Sequence, residues 1–183
     1  MNPIALLEKY YPPDSECYRI LLRHSGRVAA KALRIARQSG NREPVDREFI
    51  RQAALLHDIG ICYTNAPDLG CHGELPYLAH GYKGRQLLER EGFPRHALVC
   101  ERHIGVGLRA EEIRRHKLPL PIRDMLPLSV EEQIITYADL FFSKKTEEED
   151  RERTPDRIRH SLARFGEDKV AVFDAWHARF GNG

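Results

Sequence analysis

"AALLHDIGICY", residues 53–63, opens as the buried stripe of a helix and then sets two polar side chains, His57 and Asp58, directly before Ile59 and Gly60. Read backwards, the stripe continues through Ala54 and Ile50. It predicts a helix that starts after Asp46, a good N-cap, and stops at Gly60. A carboxylate and an imidazole dislike burial unless they are paired or coordinated. Two adjacent ligands cannot hold an ion by themselves, so the remaining partners must come from elsewhere in the chain.

Moving outward, nearly every segment has helical period. "SECYRILLRHSGRVAAKALRIARQSG" aligns Leu21, His24, Val28, Ala32 and Ile35 on one face, with Gly40 as its natural stop. "YLAHGYKGRQLLEREG" aligns His80 with Gly84 and Leu87 and closes at Gly92, with Pro94 just beyond. "PRHALVCERH" is a short helix that ends on His103 and breaks at "IGVG". "SVEEQIITYADLFFSKK" opens with Ser129 and Glu132 in capping-box spacing and places Asp139 at helical spacing from Ile135 and Phe142.

Between these lie "ICYTNAPDLGCHGELP", a loop rich in turn residues, the exposed helix "AEEIRRHK", and the proline-broken extended connector "LPLPIRDMLPL". "KKTEEEDRERT" reads as a solvated charge run. Two amphipathic helices finish the chain, and "FDAWHARFG" suits a packing or homodimer-contact helix. No segment alternates convincingly at period two. The expectation is an all-α fold in one domain over residues 1–183, with its core at about 15–145 and C-terminal helices over 154–180.

The bulk properties narrow the class. At 183 residues, 42% hydrophobic and 31% charged, the chain can bury a real core and is not a disordered sequence. Twenty-nine basic against 27 acidic residues leave a formal net charge of +2, too balanced to imply a nucleic-acid or membrane partner from charge alone. Cys17, Cys62, Cys71 and Cys100 form no C-x-x-C pair, and reduced thiols in a cytoplasmic protein are the simplest account. "MNPIALLEKYYPPDSE" has no basic head followed by an apolar run, and no stretch approaches the roughly 20 apolar residues of a spanning helix. A soluble, intracellular chain is expected.

A lone histidine on an apolar face is usually a satisfied core residue. Here His24, His57, His80 and His103, with Asp58 and Asp139, each fall on the buried side of a helix that gains nothing locally from them. One shared partner, a divalent cation, accounts for the whole set.

These residues also carry a resemblance. The ordered series "RHSGRVAAKALRIA", "ALLHDIG", "AHGYKGRQLLEREGFP", "ERHIGVGL" and "EEQIITYADLFFSK" resembles the HD-domain superfamily of metal-dependent phosphohydrolases, in its HDIG-type subgroup. The match runs from about residue 15 to 145. It implies a helical HD fold with two divalent metals, the first held by His24, His57, Asp58 and Asp139 and the second by Asp58, His80 and His103. Nitrogen and carboxylate ligands do not choose among Fe, Mn, Zn, Co and Ni.

The implied reaction is hydrolysis of a phosphoester or phosphoanhydride, in a small phosphorylated and nucleotide-like substrate, with metal-bound water as nucleophile at His57 and Asp58. The same six-ligand series is similar to that of HD-fold di-iron oxygenases, and some HD modules are non-catalytic sensors or scaffolds. The cyclic-dinucleotide branch is disfavoured, since "HGYKG" has Lys83 where its "GYP" signature has proline. Lys83, Arg109 and Lys144 are candidates for neutralising phosphate, each with the plain alternative of a solvated surface cation. His72 in the 61–76 loop is either a proton donor or an exposed loop residue.

Overall fold

The computed structural model describes residues 1–39, 44–144 and 152–181. Helix α1 (Pro3–Tyr10) is capped by the Asn2 side chain and leads into the long α2 (Glu16–Ser39). Helix α3 (Arg47–Leu56) starts at Asp46, whose carboxylate accepts from the Phe49 amide, as the sequence predicts. Then follow α4 (His80–Arg90), α5 (Pro94–Arg102), α6 (Ala110–Arg115), α7 (Val130–Asp139), α8 (Pro155–Ala163) and α9 (Glu167–Phe180). The expected Gly40 stop and residues 145–151 of the charge run lie outside the described residues.

Two apolar clusters hold the helices together. One joins α2, α3, α7 and α9 through residues such as Val28, Ile35, Ile50, Ile135 and Phe173. The other lies under α1, α4 and α5 and includes Leu7, Leu21, Leu56, Leu87 and Cys100. Phe173, Trp176 and Phe180 of "FDAWHARFG" are buried in the first cluster, so that face of α9 packs within the chain. No described helix is long and apolar enough to cross a membrane.

Several expectations need correcting. The helix carrying the opening stretch ends at Leu56, with His57 as its C-cap, and the chain then tightens into a 3₁₀ turn over Ile59–Tyr63. Gly60 therefore sits inside that turn and does not stop the helix. Its role is steric: a Cβ there would lie 2.1 Å from the His80 carbonyl oxygen and 2.4 Å from the Gly84 nitrogen. Glycine at 60 lets the turn press directly against the backbone of α4.

The 61–76 loop holds a small hairpin, β1 (Asn65–Ala66) antiparallel to β2 (Cys71–His72), too short to show a period-two pattern in sequence. It also brings Cys71 to the first turn of α2, where Cys17 and Cys71 form a disulfide across a separation of 54 residues. Fully reduced thiols are thus corrected to one disulfide, with Cys62 and Cys100 free. No local spacing signals the pair, because only the folding back of this loop makes the two cysteines neighbours.

The capping box at Ser129 is half formed. The Ser129 hydroxyl accepts from the Glu132 amide, but the Glu132 carboxylate accepts from Leu128 and pairs with Arg102. Helix α6 buries Ile113 under the 118–125 connector, so it is not wholly exposed.

Candidate metal centre

Helix ends position the polar residues. His57 caps α3, His103 caps α5, and Asp139 is the last residue of α7. Three C-termini thus face one place, each bringing the negative end of its macrodipole, which favours a cation. His80 opens α4, and His24 projects from the middle of α2. His24, His57, Asp58, His80 and His103 are all buried.

Three imidazoles are oriented in the same way. His57 donates from Nδ1 to the Ala54 carbonyl at 2.7 Å, His80 to Tyr77 at 2.6 Å, and His103 to Cys100 at 2.8 Å. Each acceptor lies three residues earlier, so the turn before each histidine fixes its ring. A carbonyl can only accept, so Nδ1 carries the proton and, in the neutral ring, Nε2 presents a lone pair to the interior.

Those Nε2 atoms meet in pairs. His24 and His57 approach to 3.4 Å, and His80 and His103 to 3.2 Å. Asp58 lies between the pairs. Its Oδ2 is 3.3 Å from His24 and 3.1 Å from His57, and its Oδ1 is 3.4 Å from both His80 and His103. Asp139 completes the first pair, its Oδ1 2.9 Å from His24 and 3.4 Å from His57. Both oxygens of Asp58 and the Oδ1 of Asp139 are buried without a well-directed hydrogen bond among the described residues. Lone pairs facing lone pairs and carboxylates are repulsive unless positive charge lies between them, so these donors fit divalent cations.

Electrostatics agree with this. Burial alone would lower the His57 imidazole, yet Asp58 and Asp139 raise it to about 10: the two carboxylates favour positive charge at this point, which a proton or a metal ion can supply. Burial would raise the Asp58 carboxyl, but His57 and Lys144 hold it well below the usual carboxylate range. Burial takes His80 down to about 3, against the opposing pull of Asp58. That ring stays neutral, with its Nε2 free to coordinate.

The remaining candidates separate. Lys144 enters the cluster, with its Nζ 2.7 Å from Asp58 Oδ2. Although burial opposes its charge, Asp58 holds the ammonium well above its ordinary value. Lys83 lies over the ring of its neighbour Tyr82 at 5.2 Å. Arg109 is the exposed N-cap of α6, and His72 is exposed on β2. Tyr77 was not singled out from sequence. Its ring lies against His80 with centroids 4.7 Å apart, and its hydroxyl faces the Lys144 ammonium. The only local hint was its position three residues before His80.

The buried His/Asp cluster within a helical bundle defines a metal-binding class of protein, and the comparisons give the family. The HD domain model matches residues 21–142, and the chain belongs to the HD domain family. An uncharacterized Methanocaldococcus jannaschii protein is 36% identical over 138 residues, covering 73% of this chain and 74% of that protein. Two proteins named tRNA (cytidine(56)-2'-O)-methyltransferase also match. The one from Picrophilus torridus is 34% identical over 143 residues, and the one from Thermoplasma volcanium is 32% identical over 141. The matches cover 73% and 76% of this chain but only 37% and 35% of those proteins, so the chain spans about a third of their length.

Among solved structures, the HD domain of the L. monocytogenes phosphodiesterase PgpH in complex with cyclic-di-AMP superposes with a TM-score of 0.55. That match covers 98% of this chain and 87% of the other at 16% identity, a likeness of fold.

Proposed function

We propose that the chain is a two-metal phosphohydrolase acting on a phosphoester or phosphoanhydride of a nucleotide-like or polynucleotide substrate. The observation that carries this reading is the sharing of one carboxylate by two inward-facing imidazole pairs. His24, His57, Asp58 and Asp139 would hold one cation, and Asp58, His80 and His103 the other. When bound, such cations lower the pKa of water and neutralise charge on a transferring phosphoryl group.

The chain's own residues do the rest. Asp58 offers one oxygen to each imidazole pair and so fixes both positions with a single side chain. The carbonyls of Ala54, Tyr77 and Cys100 keep a proton on Nδ1 and hold the rings in their inward orientation. Lys144, its Nζ 2.7 Å from Asp58, is suited to bind a phosphoryl oxygen. Leu56 and Ile59, which flank His57 and Asp58 in the chain, are fully buried in the second apolar cluster.

The substrate class is supported by two likenesses. The PgpH domain is a phosphodiesterase seen with a cyclic dinucleotide, and two relatives are named for tRNA modification.

The test is phosphate release from a panel of nucleotides and RNA ends, run on protein purified without oxygen and loaded with each candidate metal. Release that depends on added metal is expected. Oxygen consumption with no phosphate release would favour the oxygenase chemistry open to the same ligands. A second expectation separates the two positions: His80→Ala should lose one metal equivalent per chain and keep the other. Elemental analysis showing unchanged occupancy would contradict the two-position scheme.

A further inference from the structure

The net charge of +2 hides a strong local asymmetry on α2. Arg19, Arg23, Arg27, Lys31, Arg34 and Arg37 face its single acid, Glu16. At about 100° per residue, the six cations fall within an arc of roughly 120°, and from Arg19 to Arg37 they extend over about 27 Å. Arg19, Arg23, Arg34 and Arg37 are exposed and Arg27 is half-exposed, while Lys31 is buried against Glu152. The apolar face of the helix is buried, with Val28, Ala32 and Ile35 in the core. The surface of the ridge is therefore a row of five guanidinium groups, from Arg19 to Arg37, with no large apolar side chain standing exposed among them.

This ridge runs past the metal cluster. His24 follows Arg23 directly, and Arg23, Arg27, His24 and Lys144 line one small cavity at its edge. At the other end, Glu152 pairs with both Lys31 and Arg34, and the next residue, Arg153, begins a groove of about 440 Å³. Arg157, His160 and Arg164 line that groove with Asp156 and Ser161. The two basic surfaces meet at Glu152.

We propose that this ridge is a track for the phosphate backbone of an RNA strand, which brings a phosphate of that strand to the His24 side of the metal cluster. The proposal rests on the phosphohydrolase reading and narrows its substrate. Guanidinium forks match phosphate oxygens in pairs, and cations four residues apart on a helix are about 6 Å apart along the axis, a step suited to successive phosphates. A membrane surface is a poor fit, because an interfacial helix would present an apolar face outward, and here that face is in the core. A mononucleotide spans one or two of these positions, far less than the roughly 27 Å of the row.

The test uses the full chain and a labelled single-stranded RNA of roughly ten nucleotides, followed by fluorescence anisotropy across a salt series. With about five phosphate contacts at a slope of roughly −0.7 each, affinity should fall about a hundredfold between 50 and 200 mM salt. The double variant Arg19→Glu/Arg37→Glu alters two exposed positions at the ends of the ridge. It should bind at least about tenfold more weakly, with the slope flatter by about 0.7 per residue removed. Thermal unfolding and metal content of the variant check that the fold is intact.

Wild-type affinity in the folded variant, a salt slope near zero, or equal affinity for vesicles of anionic phospholipid would overturn the track. Salt-sensitive RNA binding that the variant loses, without phosphate release from any substrate, would support the track and overturn the hydrolase. Release from mononucleotides without RNA binding would overturn the track alone.

Discussion

Replacing Asp58 by alanine is expected to remove both metals and to lower kcat/KM for phosphate release by at least about a thousandfold, some 4 kcal/mol of transition-state stabilisation. The expectation comes from position. Asp58 is the group that faces both imidazole pairs, and its two oxygens lie 3.1–3.4 Å from all four Nε2 atoms. Losing it leaves two histidines on one side, and two histidines with Asp139 on the other, with no bridge between them. Asp58→Asn keeps the shape but lacks the charge, so it should show the same loss of metal in a well-folded protein. Full metal occupancy in either variant, measured alongside a helical circular-dichroism spectrum, would contradict the bridging role.

Gly60→Ala is the second large expectation, and it acts on stability. The added Cβ would stand 2.1 Å from the His80 carbonyl oxygen and 2.4 Å from the Gly84 nitrogen, both of them backbone atoms. Neither can rotate aside as a side-chain end could. Helix α4 must shift away from the 59–63 turn, at a cost of about 3 kcal/mol or more. For a chain of this size that lowers Tm by roughly 10 °C. His80 moves with α4, so affinity at the His80–His103 position should fall more than at the other. Differential scanning of the metal-free protein, followed by metal titration, checks both parts. An unchanged Tm would mean that this interface has slack that its packing does not show.

Gly60 also shows where sequence reading stops. A glycine after an apolar stripe resembles a helix stop, and nothing in "HDIG" reveals that the backbone of α4 lies against it. The helices themselves were legible because their apolar stripes have period 3.6, and the caps at Asp46 and Ser129 are local. The six polar residues were legible as misfits in those stripes.

What arises from long-range folding was not legible. The meeting of three helix C-termini is of this kind, as is the pairing of Cys17 with Cys71. The choice of Lys144 over Lys83 and Arg109 as the cation beside Asp58 is another. The basic ridge is an intermediate case: its three- and four-residue spacing stands plainly in the sequence, but the whole-chain charge averages it away.

We propose that these side chains surround two cations that share Asp58. The most direct measurement is the metal content of protein purified without oxygen, by elemental analysis against an amino-acid-based concentration. Two equivalents of divalent transition metal per chain are predicted. A single equivalent that does not rise to two when metal is supplied in excess would contradict the account.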